Sequence, residues 1–224
     1  MRDLTLVFDL DGTLVDTAPD LIHATNHALS TLGHPPVRGE TVRPWISFGA
    51  RRMIEEALVS LGDSRTDPEI DTALERFLEH YADNIAVDSR PFPGTVAALD
   101  RFAARGARLA VCTNKRESLS VSLLDQLRLT AKFAGLAGRD TFAVSKPHPD
   151  HLLGAIQLAG GDARRAIMIG DSEVDIATAK AAGVPVVAVT FGYTSVPVAD
   201  LDPDAIIDHY DDLDAAVARI IGAG

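Results

Sequence analysis

The chain has 224 residues, 46% of them apolar and 24% charged, with a formal charge of −11 at neutral pH. That length buries a sizeable core and fits one large domain or a core carrying a smaller insert, and the balance of residues is unlike that of a disordered or membrane-embedded chain. The negative charge repels polyanions, which argues against nucleic acid or an anionic membrane as partner and leaves room for a small anion held by local cations.

The opening stretch, 1–12, has an apolar run of a few residues that leads directly into acids. It reads as neither a signal peptide nor a membrane span, so a cytoplasmic location is the expectation. Residues 4–8 are the first short apolar run, and 107–112, 166–169 and 185–189 are further runs of the same kind. Being almost wholly apolar, they suit strands of a parallel sheet covered on both faces. A shorter run at 205–207 allows a fifth strand. Helical patterns at 95–105, 117–127, 149–159, 174–182 and 213–221 alternate with these strands, which argues for an α/β core with a doubly wound, mostly parallel, Rossmann-like sheet. The one cysteine, Cys112, lies inside an apolar strand and is expected to be a buried structural thiol.

One region breaks the alternation. Between residues 19 and 88 there are only helical patterns, at 20–32, 50–61 and 69–84, with Gly33 and Gly62 as C-terminal stops. The expected organisation is therefore an α/β core formed by 1–16 and 89–224, with an inserted all-helical cap domain over 17–88. Its hinges are expected at 15–18 and 88–94.

Three expected strands end in polar residues: Asp9 after the first, Thr113 after the second, and Asp171 after the third and Gly170. Open α/β sheets bind ligands at the carboxyl ends of their strands, so these side chains should converge. Converging carboxylates repel, and the usual resolution is a shared proton or a hard cation. Asp9, Asp11 and Asp171 offer oxygen ligands in a number that suits Mg2+, which keeps several waters. Asp9 and Asp11, two apart in an extended segment before Gly12, can share one side of the chain and divide the chemistry. One can attack phosphorus while the other gives a proton to the leaving oxygen and takes one from water. Lys146, set in a fixed loop by Pro147 and Pro149, would offset negative charge there, and Asp171 and Asp175 stand one helical turn apart. Taken singly, each segment has a structural alternative: a capped turn for Asp9 and Asp11, a solvated lysine, a simple helix cap for the segment 170–175.

Together the segments resemble the four motifs of the haloacid dehalogenase superfamily. VFDLDGT at 7–13 is similar to the first, Thr113 with Asn114 to the second, Lys146 with Pro147 to the third and 170–175 to the fourth. The resemblance implies Asp9 as nucleophile, Asp11 as general acid and base, and Thr113, Asn114 and Lys146 as phosphate holders. It implies Asp9, Asp171 and the backbone carbonyl of Asp11 as metal contacts, Thr13 as a residue steadying the nucleophile loop at the phosphate site, and Asp175 as an outer or water-mediated ligand. The second aspartate favours phosphate chemistry over dehalogenation.

The segments 16–33 and 48–58 look similar to phosphoglycolate phosphatases, although a further glycine usual there near 46–48 is absent. That similarity implies a small phosphorylated metabolite as partner, and the protein is expected to be a monomer or homodimer. A sugar-phosphate phosphatase or phosphomutase is the alternative, but related mutases carry histidine where this chain has Leu21. An imine-forming phosphonate hydrolase needs a cap lysine, and residues 19–88 contain none. A non-catalytic module on the same fold would not need all four motifs. For the carboxylate of a substrate such as phosphoglycolate, Arg51 and Arg52 follow Gly49 at an expected helix start, and one of them, Arg51, is expected to face the core.

Overall fold

The computed structural model describes residues 1, 3–194 and 196–223. Six parallel strands form the central sheet in the order β5-β4-β1-β6-β7-β8. They are β1 (Thr5–Phe8), β4 (Arg108–Cys112), β5 (Gly135–Ala137), β6 (Ala166–Gly170), β7 (Val186–Val189) and β8 (Ala205–Ile207). β1 is central because all four of its residues are buried, with Val7 opposite Ala110 on one side and Met168 on the other.

Alternation along the strands sends side chains into two cores. Leu6, Phe8, Leu109, Val111, Ile167 and Ile169 join one cluster, while Val7, Ala110, Cys112 and Met168 join the other. Helices α5 (Thr95–Ala104), α6 (Glu117–Gln126) and α9 (Leu213–Ala223) contribute to the first cluster. Helices α7 (Pro149–Leu158) and α8 (Glu173–Ala182) contribute to the second. With both faces covered, the strands can be apolar along their whole length.

Between β1 and β4 the chain leaves the sheet through a two-stranded antiparallel ribbon. β2 (Val15–Asp16) pairs with β3 (Arg90–Pro91), Val15 opposite Pro91 and Asp16 opposite Arg90. The regular elements between the two ribbon strands are all helical: α1 (Ala18–Thr31), the single turn α2 (Gly39–Val42), a 3-10 stretch Arg43–Phe48, α3 (Ala50–Ser60) and α4 (Asp67–Asp83). Thr66 and Glu69 close a reciprocal cap on α4, and Phe77 and Tyr81 face inward from it.

The expected strands and helices are present, with ends displaced by a residue or two. Several short elements were not anticipated. β5 is only three residues long, with glycine at its start and no β-branched residue to announce it. The ribbon strands are two residues each, and pairing rather than composition makes them strands. Gly39–Phe48 forms helical turns around Pro44 that are too short for a period to show. No helix among the described residues is long and apolar enough to cross a membrane. Cys112 is buried, and burial pushes its thiol up to about 12, as suits an inert core sulfur.

Candidate active site

β1, β4 and β6 end side by side, so Asp9, Thr113 and Asp171 meet at one edge of the sheet. Gly12 makes this possible: its φ is +85°, and a Cβ there would come within 2.5 Å of Asp171 Oδ2. The chain can therefore turn tightly after Asp11 while passing against a buried carboxylate.

Asp9, Asp171 and Asp175 bring one oxygen each within 4.8 Å of the others, all three buried. Their surroundings differ. Asp175 Oδ1 takes the Lys146 ammonium at 2.6 Å, and its Oδ2 accepts from Ser172 Oγ at 2.6 Å and Ser172 N at 3.2 Å. Asp171 has one donor per oxygen, Thr13 Oγ1 at 2.9 Å and the Tyr193 backbone N–H at 2.8 Å. Asp9 is the least satisfied. Lys146 Nζ stands 2.9 Å from its Oδ1, close enough for an ion pair but off the direction of a hydrogen bond, so that oxygen is buried without one.

Burial, followed by the nearby Asp175 charge, pushes the Asp9 carboxyl up to about 7, against the pull of Lys146. Burial and the same neighbour also hold Asp171 well above the usual carboxylate range. Three carboxylates share one ammonium here, an excess of two negative charges that a divalent cation would neutralise. An under-satisfied Asp9 beside an Asp171 with free lone pairs, on hard oxygen donors, fits Mg2+ in type and number, whereas Asp175 has its oxygens already engaged by protein donors.

Asp11 lies apart from this trio. Lys115 Nζ is 2.8 and 2.9 Å from its two oxygens, and Thr17 Oγ1 donates to Oδ1 at 2.7 Å. The ammonium also sits 4.7 Å from the centre of the Tyr81 ring, which comes from α4. Lys115 has its pKa raised by Asp11 despite a burial that works the other way.

A cavity of about 400 Å³ opens between this edge and the helical insert. Asp9, Asp11, Thr113, Asn114 and Lys146 border it, together with Arg51. Its wall carries six cationic side chains against three acidic ones, in a chain that is acidic overall. Leu21, Ile46, Phe48, Leu74, Phe77 and Leu78 supply an apolar wall from the insert.

Several expected positions differ in detail. Thr13 is fully buried and spends its hydroxyl on Asp171, so it steadies the acid cluster and does not border the cavity. Asn114 Nδ2 donates to the Lys146 carbonyl at 3.1 Å, tying two loops together, and its Oδ1 is left buried without a partner. Within the segment 170–175, Ser172 caps α8, because its hydroxyl and the Asp175 carboxylate form a reciprocal pair. Both Arg51 and Arg52 border the cavity, since its mouth wraps around the start of α3. Neither guanidinium is free. Arg51 pairs with Asp71, Glu55 and Asp67, and Arg52 pairs with Glu56 and Glu55.

Sequence reading missed Lys115, Tyr81 and Tyr193. Lys115 carried a usable signal, a lysine two residues beyond a strand-ending threonine. Tyr193 carried none, because it reaches Asp171 and the start of α1 through a loop far along the chain.

Acids at the strand ends of a doubly wound sheet, a lysine among them and a helical insert roofing the cavity define a hydrolase class built to act on phosphoryl groups. The family model described as haloacid dehalogenase-like hydrolase matches residues 6–189, so the chain belongs to that family. It is 51% identical over 219 residues to a phosphoglycolate phosphatase of Mesorhizobium japonicum, covering 97% of this chain and 96% of that one. It is 47% identical to a phosphoglycolate phosphatase of Agrobacterium fabrum, over 91% of this chain and 88% of the relative. A crystal structure of a predicted phosphoglycolate phosphatase from Haemophilus somnus superposes with a TM-score of 0.88 at 31% identity, covering 96% and 97% of the two chains. The chain is a phosphatase of this family.

Proposed function

We propose that this phosphatase is a magnesium-dependent phosphomonoester hydrolase that works through an aspartyl-phosphate on Asp9 and converts 2-phosphoglycolate to glycolate and phosphate. The observation that carries the mechanism is Asp9 itself: a buried carboxylate with an oxygen lacking a hydrogen bond, at the edge of a cavity rich in cations. The substrate follows from the phosphoglycolate phosphatases to which the chain is similar over nearly its whole length.

In this reading Asp9 attacks phosphorus, the bond from phosphorus to the ester oxygen breaks, and Asp11 protonates the departing oxygen. Asp11 then takes a proton from water as the water attacks phosphorus and the Asp9–phosphorus bond breaks, which releases phosphate and restores both acids. Lys146 and Thr113 hold the phosphoryl oxygens. The carboxylates of Asp9 and Asp171 and the backbone carbonyl of Asp11 would hold Mg2+. When bound, the ion offsets charge on the phosphoryl oxygens and on the acids that hold it. Residues 17–88 act as a cap that excludes water, and the β2–β3 ribbon at 15–16 and 90–91 lies within the proposed hinges.

A phosphomutase would need a proton-handling group near the receiving hydroxyl. Leu21 borders the cavity and offers none. The test is phosphate release by the purified protein with Mg2+ against a panel containing 2-phosphoglycolate, sugar phosphates and an aryl phosphate. A clear preference in kcat/KM for 2-phosphoglycolate is expected; its hydrolysis at or below the rate of the sugar phosphates would overturn the substrate.

A further inference from the structure

The cavity contains more cations than the phosphoryl group requires, and they are not equivalent. Lys146 is committed to Asp9 and Asp175, and Lys115 to Asp11. Arg51 and Arg52 are held by acids of their own or adjacent helices, and Arg52 also lies 4.9 Å from the centre of the Trp45 ring. A guanidinium that already faces carboxylates has little attraction left for another. Two cavity-lining cations remain, Arg116 and Arg139. Neither side chain has a hydrogen bond or ion pair with any described residue.

These two project from loops that are fastened to each other. Gly138 lies so close to α6 that a Cβ on it would stand 2.4 Å from the Glu117 nitrogen, an approach that glycine alone permits. The Arg139 N–H donates to the Lys115 carbonyl at 2.8 Å, and the Glu117 N–H donates to Asp140 Oδ1 at 2.8 Å. Thr141 donates to the Glu117 carboxylate, which removes that acid from competition for the arginines. The backbones of Arg116 and Arg139 are thus neighbours on a fixed platform. From it, Arg139 Nη1 reaches to 3.4 Å from where a Cβ on Gly49 would be, at the start of α3. Its guanidinium therefore bridges the sheet edge and the helical insert.

We infer that Arg139, with Arg116 beside it, reads the anionic far end of the substrate, a carboxylate in the reading proposed above, on which this inference rests. A guanidinium offers a planar fork that matches a carboxylate with two parallel hydrogen bonds, and an unpaired one gives up no existing partner to do so. The seam position adds a consequence: an anion on Arg139 sits where core and insert meet, so a substrate with a neutral tail lacks that contact.

The experiment compares kcat/KM for 2-phosphoglycolate and ethyl phosphate, an ester of the same length with a neutral tail, in Arg139→Ala, Arg116→Ala, the double variant, Arg139→Lys and Arg51→Ala, with Mg2+ present. Arg139→Ala should raise KM for 2-phosphoglycolate about tenfold or more, the double variant further, and Arg139→Lys less. Ethyl phosphate hydrolysis and the melting temperature should stay within about twofold and a degree or two of wild type, since both side chains are exposed and unpaired. Arg51→Ala should change the ratio of the two substrates less than Arg139→Ala does. If the wild type hydrolyses 2-phosphoglycolate and the Arg139 and double variants keep the wild-type ratio, the arginine assignment is wrong and the substrate stands. If the wild type does not hydrolyse it, the substrate and the assignment fall together.

Discussion

Tyr193 holds Thr17 at the entrance to the helical insert: its phenolic oxygen accepts the Thr17 backbone N–H at 2.7 Å and that of Ala18 at 3.0 Å. The same hydroxyl donates to Asp16 Oδ1 at 2.7 Å, while the Tyr193 backbone N–H serves Asp171. Helix α1 has no side-chain cap from Thr17, so the phenol satisfies N–H groups that a cap would otherwise take. Replacing Tyr193 by Phe strands these groups in a buried site and should cost about 1–3 kcal/mol, measured by urea denaturation. An unchanged midpoint and slope would show that water replaces the hydroxyl at no cost.

The nucleophile is tested by Asp9→Asn, which keeps the shape and removes the attacking charge. Phosphate release should fall by about three orders of magnitude or more. Turnover above a tenth of wild type would sink the covalent mechanism.

Metal dependence is separable from activity. Titration calorimetry should show Mg2+ binding to the wild type and much weaker binding to Asp171→Asn, because Asp171 is the acid with lone pairs left after its two hydrogen bonds. Chelation should abolish turnover and Mg2+ restore it, with Ca2+ inhibiting through its larger, looser coordination. Full activity in excess chelator would remove the metal.

The Lys115–Asp11 pair has side-chain exposures of only 5% and 13%. Removing one partner leaves the other charge nearly dry, so Lys115→Met should cost about 3 kcal/mol of stability. In a double-mutant cycle with Asp11→Asn, most of that loss should disappear in the double variant. Additive losses would mean that the two groups do not depend on each other.

The raised Asp9 carboxyl gives a pH signature with a defined sign. From its ordinary value of 3.8 up to about 7, the unfolded chain has released this proton and the folded protein retains it. Raising the pH across that window therefore favours the unfolded state, by roughly 4 kcal/mol at most from this group. Metal-free wild type should lose stability relative to Asp9→Asn between pH 4 and 7, and saturating Mg2+ should shrink the difference. Parallel stability curves for the two proteins in chelator would contradict the assignment.

The amino-acid sequence by itself determined the alternation of apolar runs and amphipathic helices, and with it the doubly wound core. It also marked the strand-end acids, because a carboxylate directly after a fully apolar run is a local pattern. The helical run between residues 17 and 88 was legible for the same reason, as a stretch where period 2 never appears. Tertiary structure decided everything that depends on which loops become neighbours. β5 exists because β4 lends it hydrogen bonds, and Thr13 serves Asp171 because Gly12 turns against that carboxylate. Arg51 was expected to face the core from a helix start, yet α4 sets Asp71 against it, and the cavity-lining cations left unpaired among the described residues are Arg116 and Arg139, 23 residues apart and joined by the close approach at Gly138. Pairing energies depend on distances between segments remote in sequence, and no local period carries those distances.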